Sequence, residues 1–176
     1  MKKIQSLVAI TFTVLSFCVL AQTVNAQTET PAESSKTLSA LKDLRDRTSD
    51  LTINAMSLLG IKYKRGGDSP ENGLDCSGFV RLVFKNSSET ELPRTAKEIS
   101  DKGDKIAQKD IRPGDLVFFN TLKKSFSHVG IYLGDSKFIH APSAGGKVRI
   151  ESMNVAYWKK RFNGARRIND EDAAKN

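Results

Sequence analysis

Apolar positions recur in several distinct rhythms along this chain, and each rhythm predicts a different kind of segment. Residues 7–21 are almost unbroken in apolar character behind Lys2 and Lys3, and Val24-Asn25-Ala26 follows as a small-residue cleavage signal. A run of about 15 residues is short of the roughly 20 that a membrane-spanning helix needs, so residues 1–26 are expected to be a signal peptide. Residues 27–45 lose the periodicity, are rich in Thr, Glu, Ser, Lys and Ala, and predict a flexible leader. Helical spacing then begins: Ser49 or Asp50 can cap, Leu51, Ala55, Leu58 and Leu59 share a face, and Gly60 supplies a stop. Gly66, Gly67, Pro70 and Gly73 make residues 61–74 an irregular loop. Asp75 opens a second helix whose apolar face carries Phe79, Val80, Val83 and Phe84.

Past Asn86 the text turns polar, and Leu92-Pro93-Arg94 leads into a helix ending near Lys102. Pro113-Gly114-Asp115 marks a turn before Leu116-Val117-Phe118-Phe119, a short buried strand. Residues 128–133 and 137–141 predict two more strands joined at Gly134-Asp135-Ser136, and residues 148–150 and 164–168 another two. Helices first and strands later give an α+β domain, with N-terminal helices on a mainly antiparallel sheet of five to six strands. The domain is expected over 46–170, with 171–176 as a flexible tail. No internal repeat or second domain is evident.

Removing residues 1–26 from the 176 leaves 150, enough for one core, and lowers the net charge of +8 by two lysines to +6. That surplus suits an anionic partner but equally serves solubility. No RNA- or DNA-binding motif is present, so no nucleic-acid partner is expected. Export to the periplasm, cell envelope or medium follows from the signal peptide, without stable membrane insertion once it is removed. Cys18 sits late in the apolar run, which raises lipidation as an alternative, but the bulky Phe17 stands where a small residue normally precedes a lipidated Cys.

The exported chain would keep a single cysteine, Cys76. Exported cysteines usually pair in disulfides, so a lone one points to a reactive thiol, an intermolecular bond or an inert buried group. Asp75-Cys76-Ser77-Gly78 follows a Gly-rich loop and opens a helix, so unpaired N–H groups and the positive end of the helix dipole favour the thiolate. The thiol is therefore expected to titrate below its free value of about 8.5. A Cys nucleophile needs a base, and the chain has two histidines, His128 and His140. His128 would pair with Cys76, and His140 would hold its far ring nitrogen as the third member of a triad. Zinc is the rival for such a set. Fifty-one residues separate Cys76 from His128 and eleven separate the histidines, which matches no short metal-ligand pattern. No metal or cofactor is expected.

The histidines can meet only on one face of their hairpin. A regular two-residue loop at Asp135-Ser136 pairs Gly134 with Lys137 and sends them to opposite faces. An odd loop over 134–136, or an equivalent bulge with Gly134 as its special-backbone residue, pairs Gly130 with His140 and sets His140 diagonal to His128.

Taken together these residues resemble the NlpC-type cell-wall peptidases, a branch of the papain-like cysteine peptidases. The likeness runs from about 59 to 168 through Tyr63, Gly66-Gly67, Leu74-Asp75-Cys76-Ser77-Gly78-Phe79-Val80 and Leu92-Pro93-Arg94. It continues through Pro113-Gly114-Asp115-Leu116-Val117-Phe118-Phe119, His128-Val129-Gly130-Ile131-Tyr132-Leu133-Gly134, Phe138-Ile139-His140-Ala141, Trp158 and Gly164-Ala165-Arg166-Arg167. The resemblance implies a papain-like core, a Cys76–His128–His140 triad and hydrolysis of amide bonds in peptidoglycan stem peptides. Either the γ-D-glutamyl–diamino acid bond or the D-alanyl crosslink would be cut. It further implies that the Tyr63 hydroxyl helps bind the oxyanion and that Asp75 and Ser77 contact the acyl-side stem residues, although both can also simply cap the helix. Arg94 and Asp115 are expected to be structural, paired with each other. Relatives often carry Gln where Ile99 stands, and no SH3-like or LysM-like wall-binding domain is added. The alternatives are a catalytically idle wall-binding scaffold, and an amidase or transferase using the same thioester. A monomer is expected.

Overall fold

The computed structural model describes residues 31–121 and 124–169. The expected signal peptide, the first residues of the leader and the tail lie outside them. Helix α1 spans Pro31–Ser57, and α2 spans Cys76–Ser88. A small hairpin, β1 (Asp68–Ser69) and β2 (Gly73–Leu74), lies between them. One turn of helix, α3 (Ala96–Ile99), precedes β3 (Asp104–Ile106) and β4 (Leu116–Phe119). The chain ends with β5 (His128–Gly134), β6 (Lys137–His140), β7 (Arg149–Ser152), α4 (Ala156–Lys159) and β8 (Phe162–Arg167). The six longer strands form one antiparallel sheet in the order β3-β8-β4-β5-β6-β7. The α+β expectation holds.

Strand alternation divides the core into two layers. Leu116, Phe118, Val129, Ile131 and Ile139 face α2, where Phe79, Val80, Val83 and Phe84 cover them. Val117, Phe119, Phe138 and Ala165 point the other way and pack with Trp158 of α4 and Met153. Ile99, where Gln is common in the resembling family, is fully buried in the α2-side core.

The structure departs from the sequence pattern at several boundaries. The helix expected from Ser49 already runs from Pro31, the first described residue, so 31–45, assigned to a flexible leader, is helical. Ala, Glu, Leu, Lys and Arg are good helix formers even where nothing packs on them. Leu38 and Leu41 are exposed there, whereas Leu51 and Ala55 are buried against α2. The helix expected to reach Lys102 is a single turn ending at Ile99, started by a Thr95/Glu98 capping box. β3 and α4 carried too little apolar periodicity to be seen.

The hairpin between β5 and β6 has a two-residue loop, not the three-residue one. Asp135 and Ser136 both take positive φ (49° and 57°), and Gly134 is paired with Lys137. Parity is nevertheless restored one step away. The register shifts between Tyr132 and Gly134, leaving Leu133 as an extra residue, and above it Tyr132 faces Phe138 and Ile131 faces Ile139. Gly134 has the special backbone (φ 99°). The bulge puts His128 and His140 on one face.

Candidate active site

Cys76 is the first residue of α2, and its preceding Asp75 is the N-cap, extended in backbone (φ −89°, ψ 177°). The Asp75 carboxylate accepts from Gly78 N–H at 2.7 Å and from Gly66 N–H at 3.0 Å, tying the Gly-rich loop to the first turn of the helix. That loop approaches closely: a Cβ on Gly78 would collide with the Gly67 carbonyl. Arg94 grips the same carboxylate with two nitrogens, at 3.1 and 2.7 Å, and donates to the Ser77 hydroxyl at 2.8 Å. Ser77 in turn donates to Asp75 at 3.1 Å. Burial works against ionisation of Asp75, but Arg94 and the Gly78 N–H outweigh it and hold its carboxyl below the usual range.

Arg94 and Asp115 are therefore not partners. Arg94 belongs to Asp75, and Asp115 receives both Arg167 Nε and Nη2 at 2.8 Å. Both pairings are long-range in sequence, so no local pattern announces them. Asp75 and Ser77 are committed to this cap network, and Ser77 is buried.

Tyr63 pairs with Leu74, two residues before Cys76, and its N–H donates to Gly146 O at 2.7 Å. Its phenol is partly buried; burial first, and then the charges of Cys76 and Asp75, push its pKa up. The ring thus stands within the electrostatic reach of the thiol.

His128 begins β5 and His140 ends β6, and Nε2 of His128 lies 2.7 Å from Nδ1 of His140. Both imidazoles are buried. Trp158 stacks on His128 with centroids 5.5 Å apart and meets His140 edge-on at 5.0 Å. The backbone of Val129, the neighbour of His128, lies close enough to the Cys76 sulfur to favour its charged form, as do the N–H groups of Ser77 and Cys76 itself. The two histidines thus meet each other, the Cys76 sulfur meets the backbone of the residue next to His128, and His128 Nδ1 is the ring nitrogen not used by His140.

Glu151 completes this end of the site. Its Oε2 lies 3.0 Å from His140 Nε2 and accepts from Trp158 Nε1 at 2.6 Å; its Oε1 accepts from Arg149 Nε at 3.1 Å and contacts Arg149 Nη2 at 3.0 Å. Sequence reasoning missed it because the strand expected at 148–150 stopped one residue short. Continued alternation from Arg149 would have put Glu151 on the His140 side. A cleft of about 290 Å³ opens here between Thr121, His128, Glu151, Tyr157, Trp158 and residues 142–144.

At rest burial favours the neutral forms of the thiol and both imidazoles. Burial pushes the Cys76 thiol up to about 11, with Asp75 adding to it, against the N–H groups that pull it down. This reverses the expectation of a depressed thiol. A helix terminus offers partial charges, and here desolvation of the thiolate exceeds them. Burial pushes His128 down to about 3, helped by His140 and Arg149 and opposed by Glu151; burial, then Arg149, does the same to His140. Among the described residues no group of three or more His, Cys, Asp or Glu side chains is arranged to hold a metal ion. Nor is any helix among them long and apolar enough to cross a membrane.

Comparison with known proteins gives consistent findings. Residues 60–167 match the model of the NlpC/P60 family. The chain is 38% identical over 165 residues to the murein DD-endopeptidase MepS/murein LD-carboxypeptidase of Escherichia coli strain K12, covering 88% of this chain and 86% of that protein. It is 40% identical over 126 residues to the gamma-DL-glutamyl hydrolase of Bacillus subtilis strain 168, covering 70% of this chain and 30% of that protein. In three dimensions it is similar to the crystal structure of an NlpC/P60 family protein from Bacillus cereus. The TM-score is 0.64 at 34% identity, over 68% of this chain and 39% of that one. With the helix-borne cysteine, the paired histidines and the antiparallel sheet already in place, the chain belongs to the NlpC/P60 family.

Proposed function

We propose that the chain is a cell-wall cysteine endopeptidase that hydrolyses amide bonds in peptidoglycan stem peptides. In this reading Cys76 is the nucleophile, His128 the base and His140 the residue that orients it. One observation carries the proposal: a 2.7 Å hydrogen bond joins two buried histidines beside a cysteine at a helix N-terminus. Family membership and the murein endopeptidase relative support the same chemistry.

The resting neutral pair supplies the first step. The Sγ–H proton passes to Nδ1 of His128 while sulfur bonds to the stem carbonyl carbon and the carbonyl electron pair moves to oxygen. The Cys76 N–H and the Tyr63 hydroxyl donate to that oxyanion. Collapse breaks the C–N bond, and the departing amine takes the proton from His128, leaving a thioester. Water then loses a proton to His128 as it attacks, and the second collapse releases the acid and returns the proton to sulfur. Trp158 over the imidazole limits access of bulk water to it. Asp75 and Ser77, fixed by Arg94, shape the acyl side of the groove, and the cleft at His128 receives the amine side. Residues 1–26 direct export in the same proposal, and the enzyme works as a monomer in the envelope or medium.

Purified peptidoglycan incubated with the full chain, with products identified by mass spectrometry, tests this directly. The D-alanyl crosslink is the first bond to examine, because the relative matched along most of both lengths is a DD-endopeptidase. The γ-D-glutamyl bond is the second, after the glutamyl hydrolase. Cys76→Ala and Cys76→Ser are expected to keep the fold and lose hydrolysis, and alkylation at alkaline pH to act alike. Activity lost with EDTA and restored by zinc would refute the thiol mechanism.

A further inference from the structure

The proton positions of the histidine pair follow from the residue at its far end. Glu151 offers only acceptors toward its four neighbours when ionised, and all four are nitrogens able to donate. Arg149 and the Trp158 indole can only donate, so they commit the carboxylate to accepting on both oxygens. His140 Nε2, 3.0 Å from Oε2, must then carry the hydrogen. A neutral imidazole has one N–H, so His140 Nδ1 is bare and accepts across the 2.7 Å contact from His128 Nε2–H. That leaves His128 Nδ1 as the basic nitrogen.

We propose that Glu151 is a positioning residue that fixes the tautomers of both histidines, keeping the lone pair of His128 on Nδ1. The inference rests on the catalytic assignment above, because the lone pair matters only if His128 is the base. The alternative tautomer, with His140 protonated on Nδ1, would force His128 to accept at Nε2 and to carry its hydrogen on Nδ1. No proton could then leave the thiol by that route. The carboxylate also lies two hydrogen bonds away, through His140, from the imidazolium formed during attack, and its charge favours that state.

The chain has only two histidines, so its imidazole nitrogen spectrum belongs wholly to this pair. In the full chain at neutral pH, nitrogen-15 NMR is expected to show both rings as Nε2–H tautomers. In Glu151→Gln the amide can turn its NH2 toward His140, and a population protonated on Nδ1 is expected. With peptidoglycan fragments that variant should lose about ten- to a hundredfold in kcat, with KM changed less than twofold. A residue that merely supports the fold would lower Tm and leave tautomers and kcat alone, and that result overturns the proposal. So does a wild-type spectrum with His140 protonated on Nδ1, which needs no variant and stands even if Glu151→Gln does not fold. Full activity of Cys76→Ala would sink the catalytic assignment separately, while the spectrum still decides what Glu151 does to the two rings.

Discussion

Replacing Gly130 with Ala tests whether the close approach of β5 and β6 is what holds the histidine pair. A Cβ at Gly130 would lie 2.8 Å from the Ile139 carbonyl oxygen, 2.8 Å from Phe138 Cδ2 and 3.1 Å from His140 Cβ. The carbonyl is strand backbone and cannot swing away. The Phe138 ring is held by Phe119, His140 and Trp158 at centroid distances of 4.8, 4.6 and 5.2 Å. Relief therefore requires β6 to move by a few tenths of an ångström. Overpacking of this kind costs about 1–3 kcal/mol, partly offset by the roughly 0.5–1 kcal/mol that Ala gains over Gly in an ordered backbone. A net loss of about 1–2 kcal/mol is expected, read as a lower urea midpoint at unchanged slope. His140 moves with the strand, and since misplacement of about 1 Å can cost a hundredfold, a fall in turnover of about tenfold is expected. A variant as stable and as fast as the parent would show slack between the strands, and the histidine geometry would then owe nothing to Gly130.

Two further outcomes follow from the charges. Folded His128 and His140 titrate near 3 and unfolded imidazole near about 6.5, so between those values the unfolded chain binds protons the folded chain refuses. Their stabilisation is full above about pH 6.5 and falls with acidification by up to about 1.4 kcal/mol per pH unit for each histidine. Urea unfolding between pH 7 and pH 4.5 measures it, and the same slope in a chain lacking both histidines would contradict the assignment. Asp75→Asn keeps a helix cap but loses the charged pair with Arg94, so a stability loss of about 1 kcal/mol is expected. Because Asp75 raises the Cys76 pKa, the same substitution should shift thiol alkylation to lower pH; an unmoved profile would place the carboxylate's influence elsewhere.

What could be read from the sequence was whatever depends on near neighbours or on parity. Cys76 at a helix start, with Asp75 before it and Gly78 after it, is a local statement, and the structure keeps it. The shared face of His128 and His140 is a parity statement, and it holds although the loop differs. Two residues in left-handed backbone turn the chain, and the extra residue sits at Leu133 instead of in the loop. Sequence could demand one unit of offset without saying where it is absorbed. Arg94 with Asp75, Arg167 with Asp115, and Glu151 with His140 depend on which distant segments pack together. A polar residue that alternates into a site looks the same in sequence as one that alternates into solvent.

Burial is the other quantity that the local reading lacks, and it changes how the thiol works. The N–H groups at the start of α2 favour a thiolate, but removal of water from the sulfur, with Asp75 beside it, leaves the thiol near 11. At neutral pH the free thiolate, the form that oxidants and alkylating agents attack, is then the minor form. Catalysis does not require the thiolate to accumulate. In the proposed mechanism a base kept neutral by burial accepts the proton as the S–C bond forms, so the imidazolium and the carbonyl oxyanion arise together. Their mutual attraction, about 4 kcal/mol for a pair at about 4 Å and an effective dielectric of about 20, is absent from the imidazole's separate titration. Burial thus raises the cost of either charge alone more than the cost of both, so the chemistry is tied to the arrival of a carbonyl.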